Sequence, residues 1–253
     1  MEKDFWLERW ERQEIGFHQD EVNPYLQQYW QELHCARGGT VFVPLCGKSR
    51  DMLWLHEQGQ QVLGVELSPV AVHAFFEENG YIPQHTTGGN FDSFEAGAYR
   101  ILCGDFFDLH SKDMEGVSAV YDRASLVALP PGMREIYARH LMGILPPATQ
   151  ILLVTFDYPQ QEMSGPPFAV AANEVAMLYR EYAEVHLLAQ PDVLQENPRF
   201  QQRGLSRLHE NIFLLQRRLT GEIPQPLSTP IPAFPKGKKR NPVDHCGNFQ
   251  LCK

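Results

Sequence analysis

Apolar positions along the chain switch between two periods. Phe5, Trp6, Leu7 and Trp10 recur at helical spacing with charges between them. That spacing predicts a helix, and the usual fate of such a stripe is to pack on a core. Asn23-Pro24 reads as an N-cap with proline at the first helical position. A second helix is therefore expected to about Cys35, stopped by Gly38-Gly39. From Thr40 the apolar runs shorten. Thr40-Val41-Phe42-Val43 has the composition of a buried parallel strand. Further strands are expected at 61–66, 99–103, 117–122 and 150–156, with helices at 51–58, 69–79 and 133–145 between them. Ser68 is placed to cap the helix that starts at Pro69. Residues 184–189 and 210–217 both read as strands, with no convincing helix between them. The Gly-, Asn- and Asp-containing run 86–97 reads as a loop or small hairpin.

Strands that alternate with helices over short connections signal a doubly wound α/β fold. The expectation is a mostly parallel, seven-stranded, Rossmann-like sheet with an antiparallel hairpin at its edge. Composition agrees: 43% of the 253 residues are apolar, 21% charged and 11% aromatic, ordinary values for one globular domain. The net charge of −9 is unevenly spread. Residues 219–253 carry five bases and two acids, 5 − 2 = +3, which leaves 17 − 29 = −12 on residues 1–218. The segment 219–253 also holds Pro224, Pro226, Pro230, Pro232, Pro235 and Pro242, so an extended or disordered basic tail is expected there. The acidic balance of the rest argues against nucleic-acid binding, which needs clustered Lys and Arg. No stretch reaches the ~18 apolar residues of a membrane span, and Met1-Glu2-Lys3-Asp4-Phe5-Trp6 lacks the apolar core of a secretory leader. Five cysteines at scattered spacings are not a disulfide framework. A cytoplasmic protein without membrane partners is the expectation.

Ligands of open parallel sheets sit beyond the carboxyl ends of the strands. The first strand runs into Pro44-Leu45-Cys46-Gly47-Lys48-Ser49. A phosphate-binding loop would need glycine at position 42, which is Phe42. A dinucleotide fingerprint would need three glycines where only Gly47 stands. A nucleoside without phosphate needs less: one tight glycine turn and an acid after the second strand for the ribose hydroxyls. Glu66 stands at that place. A lone acid at a strand end is more often a cap or a surface charge. Here further groups follow in strand order. Asp105 could accept from an adenine amino group, Phe106 could cover the ring, and Arg123 follows the 117–122 strand toward the reacting end. S-adenosylmethionine is a ligand of this kind.

At these residues a resemblance becomes specific. Trp6-Leu7-Glu8-Arg9-Trp10, Gly16-Phe17-His18, residues 44–49, Gly64-Val65-Glu66-Leu67-Ser68 and Tyr121-Asp122-Arg123-Ala124 together resemble the thiopurine S-methyltransferase family, its bacterial branch most closely. The resemblance covers about residues 4–218. It implies a class I S-adenosylmethionine-dependent methyltransferase over 1–218 with an N-terminal helical lid. It implies transfer of a methyl group to the sulfur of aromatic or heterocyclic thiols, with selenium and tellurium species as further acceptors, by a monomer. Trp10, Leu45, Gly47, Glu66, Asp105, Phe106 and Arg123 fall at cofactor positions. Arg123 and Arg199 fall at the substrate, with Arg203 the alternative to Arg199. The tail from Leu219 departs from the family and inherits no role.

Asp122 is read as the partner that orients Arg123 or as a structural acid. Phe5 and Trp6 read as core, Trp10 and Phe17 as a lid. His18 is more often a structural histidine than a base. Cys46 is a small apolar filler rather than a nucleophile. His245, Cys246 and Cys252 lack the spacing of a zinc site, so no metal is expected. The residues alone leave open transfer to oxygen or nitrogen, and a cofactor-binding protein without catalysis.

Overall fold

The computed structural model describes residues 3–218. The expected tail, with its prolines, basic cluster and His245, Cys246 and Cys252, lies outside the described residues. Nine strands form one sheet there: β1 (Thr40–Val43), β2 (Gln61–Glu66), β3 (Gln84–Gly88), β4 (Phe91–Ala96), β5 (Tyr99–Cys103), β6 (Val117–Arg123), β7 (Gln150–Asp157), β8 (Ala183–Ala189) and β9 (His209–Arg217). Their order is β3-β4-β5-β2-β1-β6-β7-β9-β8. The five strands from β5 to β7 are parallel, and both edges are antiparallel. Seven helices accompany them: α1 (Lys3–Glu11), α2 (Pro24–Tyr29), α3 (Asp51–Glu57), α4 (Pro69–Glu78), α5 (Pro131–Ile144), α6 (Ala172–Tyr179) and α7 (Pro198–Gln202).

The doubly wound sheet and the antiparallel pairing of β8 with β9 at its edge are as expected, but the two strands are joined through α7 rather than by a hairpin turn. The strand count of seven is corrected to nine. The two additional strands are β3 and β4, inside and beside the run 86–97. All five residues of β3 are exposed, and β4 buries Phe94 alone. An edge strand held by backbone hydrogen bonds has no need of an apolar face, so it leaves little pattern to find. Two helices also stand where none was expected, α6 and α7. α6 buries only Val175 and Tyr179, one contact pair at i,i+4.

Local signals at the helix starts operate as anticipated. The Asn23 side chain accepts from the backbone N–H groups of Tyr25 and Leu26, at 3.0 and 3.2 Å. The Ser68 hydroxyl accepts from Ala71 N. α2 is shorter than expected. It tightens into a 3-10 turn at Trp30–Leu33 and ends at His34, which is left-handed at φ +46°.

Period-two alternation sorts the strands onto two faces. Phe42 joins Tyr137, Leu141 and Val175 under α5 and α6. Val41 and Val43 join Leu26, Met52, Leu55 and Phe75 under α2, α3 and α4. The same rule governs β6. Tyr121 lies on the α3 face, and Arg123 reaches Asp51 there, whereas Asp122 points the other way. Asp122 therefore does not orient Arg123. It is buried beneath α5, where the Tyr137 hydroxyl donates to it at 2.8 Å, and its second oxygen has no partner among the described residues.

Burial pushes the Asp122 carboxyl up to about 6, although hydroxyl donors oppose the shift. Below about pH 4 this group is neutral in both folded and unfolded chains. Between about pH 4 and 6 the unfolded chain ionises first, so stability falls as pH rises, and the loss is complete above the folded pKa. A shift of this size corresponds to a penalty on the order of 3 kcal/mol at neutral pH. Asp122→Asn keeps an acceptor for Tyr137 and should raise the melting temperature at pH 8 more than at pH 4.5. Equal effects in calorimetry at the two pH values would refute the linkage.

Candidate active site

The carboxyl ends of the parallel strands surround a cavity of about 450 Å³. Its floor is the turn after β1. Leu45 and Gly47 both take positive φ, +47° and +52°. For leucine that conformation is strained, and such strain persists only where the surroundings enforce it. Cys46 N donates to the Val65 carbonyl at 3.0 Å, tying the turn to β2. The Cys46 side chain is buried over Gly64, where an added Cβ would come within 2.7 Å of the sulfur. Burial pushes this thiol up, so Cys46 fills space and is not a nucleophile.

Glu66 closes the turn from β2. One carboxylate oxygen accepts from Gly47 N and the other from Ser68 N, each at 2.8 Å. Each oxygen keeps a further acceptor site. Burial pushes the carboxyl up, while N–H groups of Ser68, Gly47 and Leu67 oppose that rise. Beyond β5, Asp105 accepts from Phe107 N at 2.9 Å and pairs with Lys3 at 2.5 Å. Phe106 is buried and stacks on Tyr137 at 4.6 Å, with one side toward the cavity.

Arg123 stands at the end of β6. Its Nε donates to Asp51 at 2.8 Å, and Nη2 lies 3.4 Å from the Ser49 hydroxyl. Asp51 is fully buried. It also accepts from Asn23 N at 2.8 Å and from the Tyr121 hydroxyl at 3.0 Å. Burial alone would lower the guanidinium's pKa, but the Asp51 charge more than offsets it, so Arg123 is a fixed cation. Sequence reasoning missed Asp51. An acid in the first turn of a helix reads as a dipole partner, and nothing local points it at a residue 72 positions away.

α1 crosses the open side of the cavity. Among its described residues only Trp10 is buried. Trp10 lies over Gly47, where a Cβ would come within 3.2 Å of the indole. Phe17 meets both Trp10 and Trp6 edge-to-face, at 5.5 and 5.6 Å. Trp6 lines the cavity rather than a core, which corrects the expectation for that residue. His18 lines it too, and burial lowers its pKa. Lys48 pairs with Glu78 of α4 at 2.5 Å.

The far wall comes from α7. Arg199 donates to the Gly16 carbonyl, and Arg203 reaches the Met163 sulfur at 3.5 Å. Both arginines border the cavity with Phe200. The cavity therefore gathers Trp10, Leu45, Gly47, Glu66, Asp105, Phe106, Arg123 and Arg199 from 190 residues of chain into one lining. Among the described residues no cluster of His, Cys, Asp or Glu could hold a metal. Nor is any described helix long and apolar enough to cross a membrane.

Several solved structures share the fold. A 1,6-didemethyltoxoflavin-N1-methyltransferase of Burkholderia thailandensis, with S-adenosylhomocysteine bound, superposes with a TM-score of 0.56 at 15% identity, covering 85% of this chain and 86% of its own. An S-adenosylmethionine-dependent methyltransferase from Anabaena variabilis gives 0.58 at 12% identity, covering 85% and 95%. Sequence relatives are far nearer. The thiopurine S-methyltransferase of Nitrosospira multiformis is 64% identical over 218 residues, 86% of this chain and 99% of its own. That of Azotobacter vinelandii is 52% identical over 218 residues, 86% and 100%. The family profile described as thiopurine S-methyltransferase matches residues 1–218. With the glycine turn, the strand-end carboxylate and the paired arginine at its carboxyl edge, this chain belongs to the thiopurine S-methyltransferase family.

Proposed function

We propose that this protein transfers the methyl group of S-adenosylmethionine to the sulfur of aromatic or heterocyclic thiols such as thiopurines, with selenium and tellurium species as further acceptors. The carrying observation is Glu66, a buried carboxylate at the end of β2 whose two oxygens are fixed by Gly47 and Ser68 with acceptor sites to spare. It suits a pair of ribose hydroxyls, and it would repel a 2′-phosphate. The turn has no further glycines with which to cradle a pyrophosphate.

The other groups take roles by position. Leu45, Gly47 and Trp10 wall the amino-acid end of the cofactor. Asp105 accepts from the adenine amino group, sharing its oxygens with Lys3. Phe106 covers the adenine ring. The cofactor, when bound, supplies a sulfonium methyl already activated for attack. What remains for the protein is alignment of the nucleophile and exclusion of water. Orientation of this kind can supply up to ~7–11 kcal/mol of barrier reduction. Arg123 and Arg199 favour the thiolate electrostatically, so an easily ionised heterocyclic thiol needs no dedicated base. Residues 1–218 act as the catalytic domain and α1 as its lid. A cytoplasmic protein without nucleic-acid partners is the reading of the acidic charge and of the free thiols Cys35, Cys46 and Cys103, and a monomer is what the family resemblance implies.

Glu66→Ala should raise the dissociation constant for S-adenosylmethionine at least ~tenfold, the size expected for two hydrogen bonds to a charged group. Titration calorimetry tests this, and an unchanged constant removes Glu66 from the ribose role. Asp51→Asn should lower kcat/KM for the thiol by ~10–100-fold, because Arg123 loses its anchor and its counter-charge together. Asp51→Glu should recover part of the loss. Steady-state rates on a folded variant, checked by circular dichroism, decide the matter; wild-type rates in Asp51→Asn would refute the positioning role. A labelled-cofactor assay over thiols, catechols and amines tests the acceptor. Transfer to a catechol but to no thiol would overturn the substrate class.

A further inference from the structure

His18 lines the cavity with only 14% of its side chain exposed. Four charged groups act on its ring: its neighbour Asp20, Lys48 in the turn after β1, Glu78 on α4 and Arg123 at the end of β6. From β1 and β6 the strand order runs outward in opposite directions, and open α/β sheets bind ligands at that switch point. The acids that suit the nucleoside, Glu66 and Asp105, come from β2 and from beyond β5, on one side of it. His18 therefore belongs to the reacting end of the cavity, not to the adenine end.

Methyl transfer to a neutral thiol releases one proton, and few groups on this lining can take it. The lining acids Glu14, Asp51 and Asp105 are paired with Arg9, Arg123 and Lys3. Glu66 is held by the Gly47 and Ser68 N–H groups. The hydroxyls of Tyr121 and Tyr137 donate to Asp51 and Asp122. Among the described residues His18 is the one histidine on the lining, and neither of its ring nitrogens has a hydrogen-bond partner. Its Nε2 lies 3.8 Å from Asp20, beyond hydrogen-bond reach, and the Asp20 side chain is 94% exposed. A proton taken by the ring thus has an anion and water beside it. Burial and then Lys48 lower the pKa of the ring; Asp20 and Glu78 oppose this, and Arg123 adds to it. The unprotonated, accepting form is favoured as a result. The same two cations favour a thiolate over a thiol.

We propose that His18 accepts the thiol proton, which extends transfer from thiols already ionised in water to weakly acidic ones. This rests on the thiol methyl transfer proposed above. The proton leaves sulfur for a ring nitrogen, and the S–H electron pair stays on the acceptor sulfur. That pair makes the new S–C bond, while the pair of the broken methyl–sulfonium bond returns to the cofactor sulfur as a neutral thioether. The imidazolium then releases its proton to water beside Asp20.

The test compares 4-nitrobenzenethiol, ionised at neutral pH, with phenylmethanethiol, which is mostly protonated there. In His18→Gln, kcat/KM should fall ~100-fold further for phenylmethanethiol than for 4-nitrobenzenethiol, the lower end for general-base catalysis. Equal losses for the two thiols would mark a structural or cofactor-binding role and overturn the proposal. The wild-type protein gives a second reading that needs no variant. With His18 as acceptor, kcat/KM for phenylmethanethiol levels off by about pH 7, above the pKa of the ring and below that of the thiol. Ionisation in water alone makes it climb about tenfold per pH unit up to the pKa of the thiol, and that climb also overturns the proposal. Transfer to 4-nitrobenzenethiol alone removes the role of His18 and leaves the methyltransferase reading intact. Transfer to neither thiol removes both.

Discussion

A single carboxylate, that of Asp51, holds together the parts on which the site depends. It has no solvent exposure, so its charge must be matched within the protein. Three donors do so: the Asn23 backbone N–H, the Tyr121 hydroxyl and Arg123 Nε. The carboxylate and its donors come from three stretches of chain. Asn23 caps α2, Asp51 opens α3, and Tyr121 and Arg123 end β6. The carboxylate thereby sets the cap of one helix, the start of another and the direction of the arginine at the reacting end. Removing either charge would leave its partner buried and unmatched, which typically costs several kcal/mol. The pair is better understood as fixing one geometry than as adding stability.

The N-terminal segment depends on this frame rather than building it. α1 buries one residue, Trp10, and does so over Gly47 in the turn after β1. Its other ties run to the cavity wall, Lys3 to Asp105 and the following Gly16 to Arg199. A helix with so little buried surface gains its place from the site it covers. Little buried surface means low local stability. The positive φ angles of Leu45 and of Ala124, which follows Arg123, fall at the two turns beneath it. Strain collected at ligand-bearing turns is a recurring feature of functional sites.

Much of this was legible in the chain itself. The five parallel strands, the caps Asn23 and Ser68, the glycine turn and Glu66 follow from rules that act within a few residues. Each has its whole cause nearby: a β-rich run, a side-chain oxygen before a helix, an acid at a strand end. The run 86–97 could be read only as a loop or a small hairpin, and was not counted in the sheet, because the exposed residues of β3 and β4 carry no apolar period. α6 is only eight residues long and buries two of them, Val175 and Tyr179, one short helical pair.

The side-chain partnerships were decided by tertiary structure alone. Period-two alternation on β6 was available from the sequence and already separates Asp122 from Arg123. Which groups lie under each face was not, since Tyr137 reaches Asp122 from α5 and Asp51 reaches Arg123 from α3. Arg9, Arg199 and Arg203 border one cavity from opposite ends of the domain's sequence. Electrostatic pairing depends on distance in space and on burial, and neither is a local property of the chain. The sequence by itself therefore determined the five parallel strands, the glycine turn and the family. Only the folded structure decided which carboxylate holds Arg123 and which distant groups meet around the cavity.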